Sequence, residues 1–195
     1  MSFDSLEKTR ARNAAKMIRA KLAYEGVEAH LDAGVELIGA WPYAKFKGGV
    51  VGCYFPLHSE ISPLPLMGAL VDAGFDLALP CIKRKAHPLV FRSYSFGDKL
   101  RGGAFGTKEP KRDKAIVSPD IVLLPMLAFS RVGMRLGYGG GFYDRTLQEL
   151  RTKKPIFACG LAYSGQEVAI LPTEQYDQAL DGVLTEVGFK EFSKR

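Results

Sequence analysis

The feature that most constrains this chain is a short apolar run followed closely by glycines. Ile121-Val-Leu-Leu-Pro125 is partly β-branched and closed by proline, which reads as a buried strand. Behind it comes Arg131-Val-Gly-Met-Arg-Leu-Gly-Tyr-Gly-Gly-Gly-Phe-Tyr-Asp-Arg145. After Tyr143 the pattern turns helical, with Leu147 and Leu150 on one face. The order is therefore strand, glycine-rich loop, helix. Gly133, Gly137, Gly139, Gly140 and Gly141 remove side chains where a backbone must approach a ligand. Freed backbone N–H groups with a helix N-terminus behind them form an anion cradle. Arg135 and Arg145 add fixed positive charge, and Asp144 adds a hard oxygen of the kind Mg²⁺ accepts beside phosphate. The loop is not a P-loop, because no Gly-Lys-Ser/Thr follows. Nor is it a dinucleotide fingerprint, because Phe142 stands where the last glycine would fall.

The rest of the chain alternates in the same way. Residues 4–25 predict a helix whose apolar face is Ala11, Ala14, Ala15, Ile18 and Leu22, with Gly26 as its stop. Lys8, Arg12, Lys16 and Arg19 form a basic stripe beside that face. A solvated face is the ordinary reading of such a stripe; a helix docked by its alanines would instead hold the cations at a seam. Glu36–Ala40 and Val50–Phe55 read as strands. A helix opens at Ser62-Pro63, faces Leu66, Met67, Leu70 and Val71 inward and closes at Gly74. Asp76–Pro80 then completes a right-handed βαβ unit. Leu89–Ser95 reads as a strand at or near an edge, residues 100–110 as a loop, Ile156–Tyr163 as a buried strand and Val183–Val187 as the last strand. Ligands in such sheets collect at the carboxyl ends of strands. Phe55 and Glu60 lie at one such end.

At 195 residues the chain is expected to be one domain, 1–195, with a sizeable core. No apolar run reaches bilayer length and the charged N-terminus lacks a secretory signal. Cys53, Cys81 and Cys159 are odd in number and set in apolar strands, so reduced thiols in a cytoplasmic protein are expected. The net charge of +6 is concentrated in residues 1–24 and 83–114. Aromatic interleaving there is sparse and no nucleic-acid motif is present. Polyanionic small molecules are favoured over nucleic acid.

The run Pro125 to Asp144, above all Arg135-Leu-Gly-Tyr-Gly-Gly-Gly-Phe-Tyr-Asp144, resembles the signature of the 5-formyltetrahydrofolate cyclo-ligases, also called methenyltetrahydrofolate synthetases. Ser130 stands where that family usually has an acidic residue, and Phe142 where it commonly has tyrosine. The resemblance implies a three-layer α/β/α sandwich with a mostly parallel sheet. It also implies ATP-dependent closure of 5-formyltetrahydrofolate to 5,10-methenyltetrahydrofolate, with ADP and phosphate released. ATP is then the co-substrate and Mg²⁺ the metal. The folate arrives with or without a polyglutamate tail, and no membrane partner is implied. The nucleotide would be held by Lys8 and Arg12, spaced like the family's N-terminal lysine and arginine, and by Arg135, Leu136, Gly137, Tyr138, Gly139, Gly140, Gly141, Phe142 and Tyr143. Arg135 and Arg145 would neutralise the transferring phosphate. The folate would meet Phe55, Glu60, Tyr138, Gly139 and Gly140. Pro172-x-x-x-x-Asp177-x-x-x-Asp181 also resembles the family, which makes Asp177 the metal partner of Asp144.

Two other readings remain at this point. One is a catalytically altered relative that binds folate or nucleotide. The other is a basic RNA-binding protein using residues 83–114.

Overall fold

The computed structural model describes residues 3–24 and 27–193, with side chains excluded at 3–5 and 27–32. In chain order the helices are α1 (Phe3–Tyr24), α2 (Val27–Ala40), α3 (Leu64–Asp72) and α4 (Phe142–Lys153). The strands are β1 (Gly49–Gly52), β2 (Phe75–Cys81), β3 (Val90–Tyr94), β4 (Arg101–Gly102), β5 (Lys108–Glu109), β6 (Ile121–Pro125) and β7 (Ala128–Ser130). They continue with β8 (Arg135–Leu136), β9 (Phe157–Leu161), β10 (Glu167–Val168), β11 (Gly182–Thr185) and β12 (Gly188–Glu191).

The main sheet has the order β12-β11-β9-β6-β1-β2-β3. The five inner strands are parallel, and the edge strands β3 and β12 run antiparallel to their neighbours. A strand buried on both faces reads as a continuous apolar run. β6 is that strand, and it occupies the centre. Ile121 and Leu123 pack on one face with Leu37 of α2 and Leu66, Met67 and Leu70 of α3. Val122 and Leu124 pack on the other with Leu147 and Leu150 of α4. Helices thus cover both faces, giving a mostly parallel three-layer α/β/α arrangement. Leu123 and Leu124 are fully buried; burying such a side chain contributes about 1.5–3 kcal/mol.

Several expected boundaries change. Glu36–Ala40 is not a strand but the end of α2, because Ala33, Leu37 and Trp41 bury at helical spacing. β1 ends at Gly52, and residues 53–63 leave the sheet as an irregular segment. Val71 is exposed rather than inward. Residues 100–110 contain the small β4–β5 hairpin. β12 follows the strand expected to be last and pairs back onto β11. Gly26 lies outside the described residues.

α1 is also rotated from its expected facing. Ile18 and Ala14 are exposed, whereas Lys8, Ala15, Arg19 and Ala23 are buried. Those four repeat at seven, four and four residues and so share one face. Lys8 and Arg19, with half-buried Arg12 beside them, belong to the docked face; only Lys16 points to solvent.

The order β9-β6-β1-β2 makes the junction of β6 and β1 a topological switch point. From β1 the chain crosses by α3 to β2; from β6 it crosses by α4 to β9 on the other side. Open α/β sheets bind ligands outside the strand ends at such a point. The segments leaving β1 and β6 are the one carrying Glu60 and the one carrying the glycines.

Candidate active site

Residues 57–60 form a tight turn in the irregular segment after β1. His58 is in the left-handed region with φ 53°, and the Glu60 N–H donates to the Leu57 carbonyl at 3.1 Å. The Glu60 carboxylate folds back to accept from the Leu57 N–H at 2.8 Å. Its other oxygen accepts from the Tyr138 hydroxyl at 2.6 Å. The glycine loop and the β1 turn therefore meet through one carboxylate. Glu60 is only 3% exposed. Burial pushes its carboxyl above the ordinary value, against the hydrogen bonds from Tyr138 and Leu57 and the charge of Arg19.

Before the loop proper, the chain makes a hairpin of β7 and β8. Ser130 is buried, and its hydroxyl accepts from the Met134 N–H at 3.2 Å. Gly133 belongs to this hairpin and not to an anion cradle: its φ is +80°, and a Cβ there would lie 2.9 Å from the Phe192 ring. Leu136 is a core residue packed with Ala15, Leu127 and Ala128, so only its backbone faces the site. The cradle is Gly137–Gly141. Tyr138, Gly139 and Gly140 are exposed, and Gly141 caps α4 with φ +60°. The first turn of α4 then presents N–H groups with no partner inside the helix.

Two cations bind this loop from different sides, and a third lies against the 174–177 segment. Arg12 of α1 donates to the Gly137 carbonyl at 3.1 Å. Its guanidinium carbon would lie 3.2 Å from a Cβ on Gly139. Arg145 donates to the Gly140 carbonyl, lies over the Phe142 ring and keeps its Nε buried with no partner among the described residues. Lys8 pairs with Asp177 at 2.9 Å and Glu174 at 3.2 Å.

Arg135 has a different position from the phosphate-facing one expected. Its side chain is buried, and the guanidinium donates to Asp144 at 2.6 Å and to the Gln178 carbonyl. Burial lowers its affinity for the proton, while Asp144 and, more distantly, Asp177 oppose that. The Gln178 N–H donates to the same Asp144 oxygen at 3.0 Å. Arg135 thus ties the α4 N-terminus to residues 177–178. Asp181 is separate: it accepts from the Ala158 N–H at 2.8 Å and from Arg151 at 2.9 Å, as a structural anchor.

Phe55 is half-buried under the Lys108 ammonium, 4.8 Å from its ring centroid. Phe55, Tyr94, Leu100, Arg101, Thr107 and Lys108 line a cavity of about 540 Å³ beside the β4–β5 hairpin. This volume lies in the range of small-molecule sites. Much of the remaining charge in 83–114 is internally committed: Arg92 to the Lys114 carbonyl, Arg101 to Glu109, and Lys114 to Asp98. Tyr143 is half-buried near Glu60 and Cys53, and burial raises its hydroxyl well above the ordinary value.

The structure brings Lys8, Arg12, Arg135, Tyr138, Gly139–Gly141, Asp144, Arg145 and Asp177 around one loop, with Glu60 in contact. Two participants escaped notice as site residues in the sequence. Arg19 and Ser59 sit behind Glu60. The helical spacing of Arg19 from Lys8 and Arg12 carried the signal for the first; Ser59 offered none.

Comparison with known proteins gives the same picture. The model of the 5-formyltetrahydrofolate cyclo-ligase family matches residues 8–186. The 5-formyltetrahydrofolate cyclo-ligase of Haemophilus influenzae is 39% identical over 139 residues, covering 69% of this chain and 74% of that protein. That of Mycolicibacterium smegmatis is 32% identical over 167 residues, covering 81% and 84%. An NMR structure of Aquifex aeolicus 5,10-methenyltetrahydrofolate synthetase superposes with a TM-score of 0.75 at 26% identity, over 96% of this chain and 94% of that one. A match along nearly the whole chain, on the same fold, is more than a shared loop: the chain belongs to the 5-formyltetrahydrofolate cyclo-ligase family.

Proposed function

We propose that this chain closes 5-formyltetrahydrofolate to 5,10-methenyltetrahydrofolate at the expense of ATP. The observation that carries the reading is the Tyr138–Glu60 hydrogen bond of 2.6 Å. It sets a glycine-rich anion cradle directly against a desolvated carboxylate. A carboxylate can accept from the amino and ring N–H groups of a pterin. Phosphoryl transfer between two bound molecules needs such adjacency more than covalent help from the protein.

The formyl oxygen of the folate is a poor leaving group. Its attack on the γ-phosphorus breaks the bond to the β,γ-bridging oxygen and releases ADP. N10 then attacks the formyl carbon, phosphate departs with the formyl oxygen, and the N10 proton passes to solvent. We assign the chain no nucleophile and no general base. Its residues bind and orient. Backbone N–H groups at Gly139–Gly141 and the first turn of α4 receive the phosphates. Arg12, Arg145 and Lys8 neutralise them, and Arg135 acts through Asp144. Glu60 orients the pterin, Tyr138 covers it, and the cavity beside Phe55 accommodates the rest of the folate. Lys108 at its wall suits the carboxylates of a glutamate tail.

Asp144 and Asp177 fit Mg²⁺. Each is hard oxygen, no described residue bonds to the second oxygen of either, and Mg²⁺ usually takes one or two carboxylates alongside phosphate and water. Bound there, the ion would neutralise charge on the transferring phosphoryl group. The three cysteines are free and buried, in keeping with a cytoplasmic enzyme.

The test is spectrophotometric, because the methenyl product absorbs near-ultraviolet light and the substrate does not. ATP-dependent absorbance in the wild type, lost in Asp144→Asn, is expected. No ATP-dependent signal with authentic folate would overturn the reading.

A further inference from the structure

We propose that Arg19 is a positioning residue for the folate half of the site, holding Glu60 ionised and in place behind the pterin. This rests on the reading of Glu60 as the folate carboxylate. Arg19 is 3% exposed, and a guanidinium so buried must find partners. Its Nε donates to the Ser59 hydroxyl at 3.1 Å and its Nη1 to the Met126 carbonyl at 3.3 Å. Nη1 lies 3.8 Å from the Glu60 oxygen that Tyr138 also touches. Its Cζ stands 5.3 Å from the Tyr138 ring centroid. One side chain on α1 therefore touches the segment after β1, the segment after β6 and the glycine loop. Gln166 donates to the Met126 and Leu127 carbonyls at 2.9 Å each and fixes the carbonyl that Arg19 uses.

Stability alone does not account for this arrangement. Buried ion pairs are often replaceable by apolar residues at no loss of stability. The distance matters more. At 3.8 Å, Arg19 supplies a field without occupying an acceptor site on Glu60. Tyr138 does occupy one, so an arriving pterin must displace its hydroxyl. The carboxylate then stays desolvated, and Arg19 keeps it charged. The other groups facing Glu60 are His58 on the same turn and the hydroxyls of Tyr54, Tyr138 and Tyr143. His58 is exposed, so Arg19 is the buried cation of the set.

The test compares Arg19→Met, Arg19→Lys, Ser59→Ala and Glu60→Gln in the full chain. Melting curves check folding, and KM for folate and ATP, kcat and pH profiles are read. Arg19→Met is expected to raise folate KM at least about tenfold, with ATP KM and kcat changed less than about threefold. It should also move the acid limb of folate kcat/KM up by about one pH unit. Arg19→Lys keeps the charge and should hold the limb at its wild-type position while folate KM rises about threefold. If Arg19→Met does not fold, Arg19→Lys and Ser59→Ala carry the test: wild-type folate KM in both overturns the proposal. An Arg19→Met enzyme with equal loss toward folate and ATP, or with an unmoved acid limb, also overturns it. Unchanged folate KM in Glu60→Gln overturns the reading of Glu60 itself, which separates the two failures.

Discussion

Lys8, near the start of α1, reaches Asp177 at 2.9 Å across 169 residues of chain. The contact joins the N-terminal helix to the segment that also holds Asp144 through Gln178. A cation proposed for phosphate and a carboxylate proposed for metal thus neutralise each other. Replacing Lys8 by methionine removes the cation and leaves the Asp177 carboxylate, among the described residues, with the Glu174 N–H at 2.7 Å. Lys8→Met should raise ATP KM at least about tenfold and cost about 1.5–3 kcal/mol of stability, the worth of a hydrogen bond to a charged group. Initial rates against ATP and a urea titration check the two effects.

The two aspartates of the 177–181 segment should separate cleanly. Asp181→Asn weakens the pair with Arg151 and the bond from the Ala158 N–H, so it should lower stability by about 1–3 kcal/mol. Its KM for ATP and its Mg²⁺ dependence should stay within about twofold of wild type. Asp177→Asn should do the reverse, shifting the Mg²⁺ titration of the rate to higher concentration with a smaller change in melting temperature. A shared pattern in both variants would remove Asp177 from the metal site.

Much of this was legible in the sequence, for physical reasons. Ile121–Pro125 is apolar on both faces because it is central, and the glycines and Asp144 are local to the loop they build. Glu36–Ala40 reads as a strand because it is a short apolar window; the helical signal lies in Ala33, Leu37 and Trp41, four residues apart. The docked face of α1 differs from the expected one because alanines are weak markers beside cations. Its buried lysine and arginine are stable only through Asp177, Glu174, Ser59, Glu60 and the Met126 carbonyl, all distant in sequence. No local pattern announces such partners.

Gly141 has φ +60°, and a Cβ there would lie 2.7 Å from Arg145 Nη1. Gly141→Ala should strain the α4 N-terminus by about 1–2 kcal/mol and displace Arg145. ATP KM should rise at least about tenfold with folate KM changed much less. Isothermal titration with each ligand separately checks the split.

The raised carboxyl of Glu60 fixes the sign of two pH effects. A carboxylate pushed up in the folded state binds its proton more tightly there than in the unfolded chain. Its contribution to stability is greatest below the ordinary value of 4.5 and declines as pH rises through the folded value. Pterin binding needs the ionised form and runs the other way, so folate kcat/KM should climb along an acid limb centred above 4.5. That limb should disappear in Glu60→Gln. A limb unchanged by this substitution would assign it to another group.

The central claim is that the glycine loop aims a nucleotide's terminal phosphate at a folate held by Glu60, across the β1–β6 switch point. A crystal structure with a non-hydrolysable ATP analogue, Mg²⁺ and 5-formyltetrahydrofolate measures this directly. The account predicts the terminal phosphate against the Gly139–Gly141 amides, Tyr138 displaced from Glu60, and the formyl oxygen about 3–3.5 Å from the γ-phosphorus. Phosphates bound away from that loop, for example along the basic segment near Lys83–Lys85, or a pterin out of reach of Glu60, would contradict it.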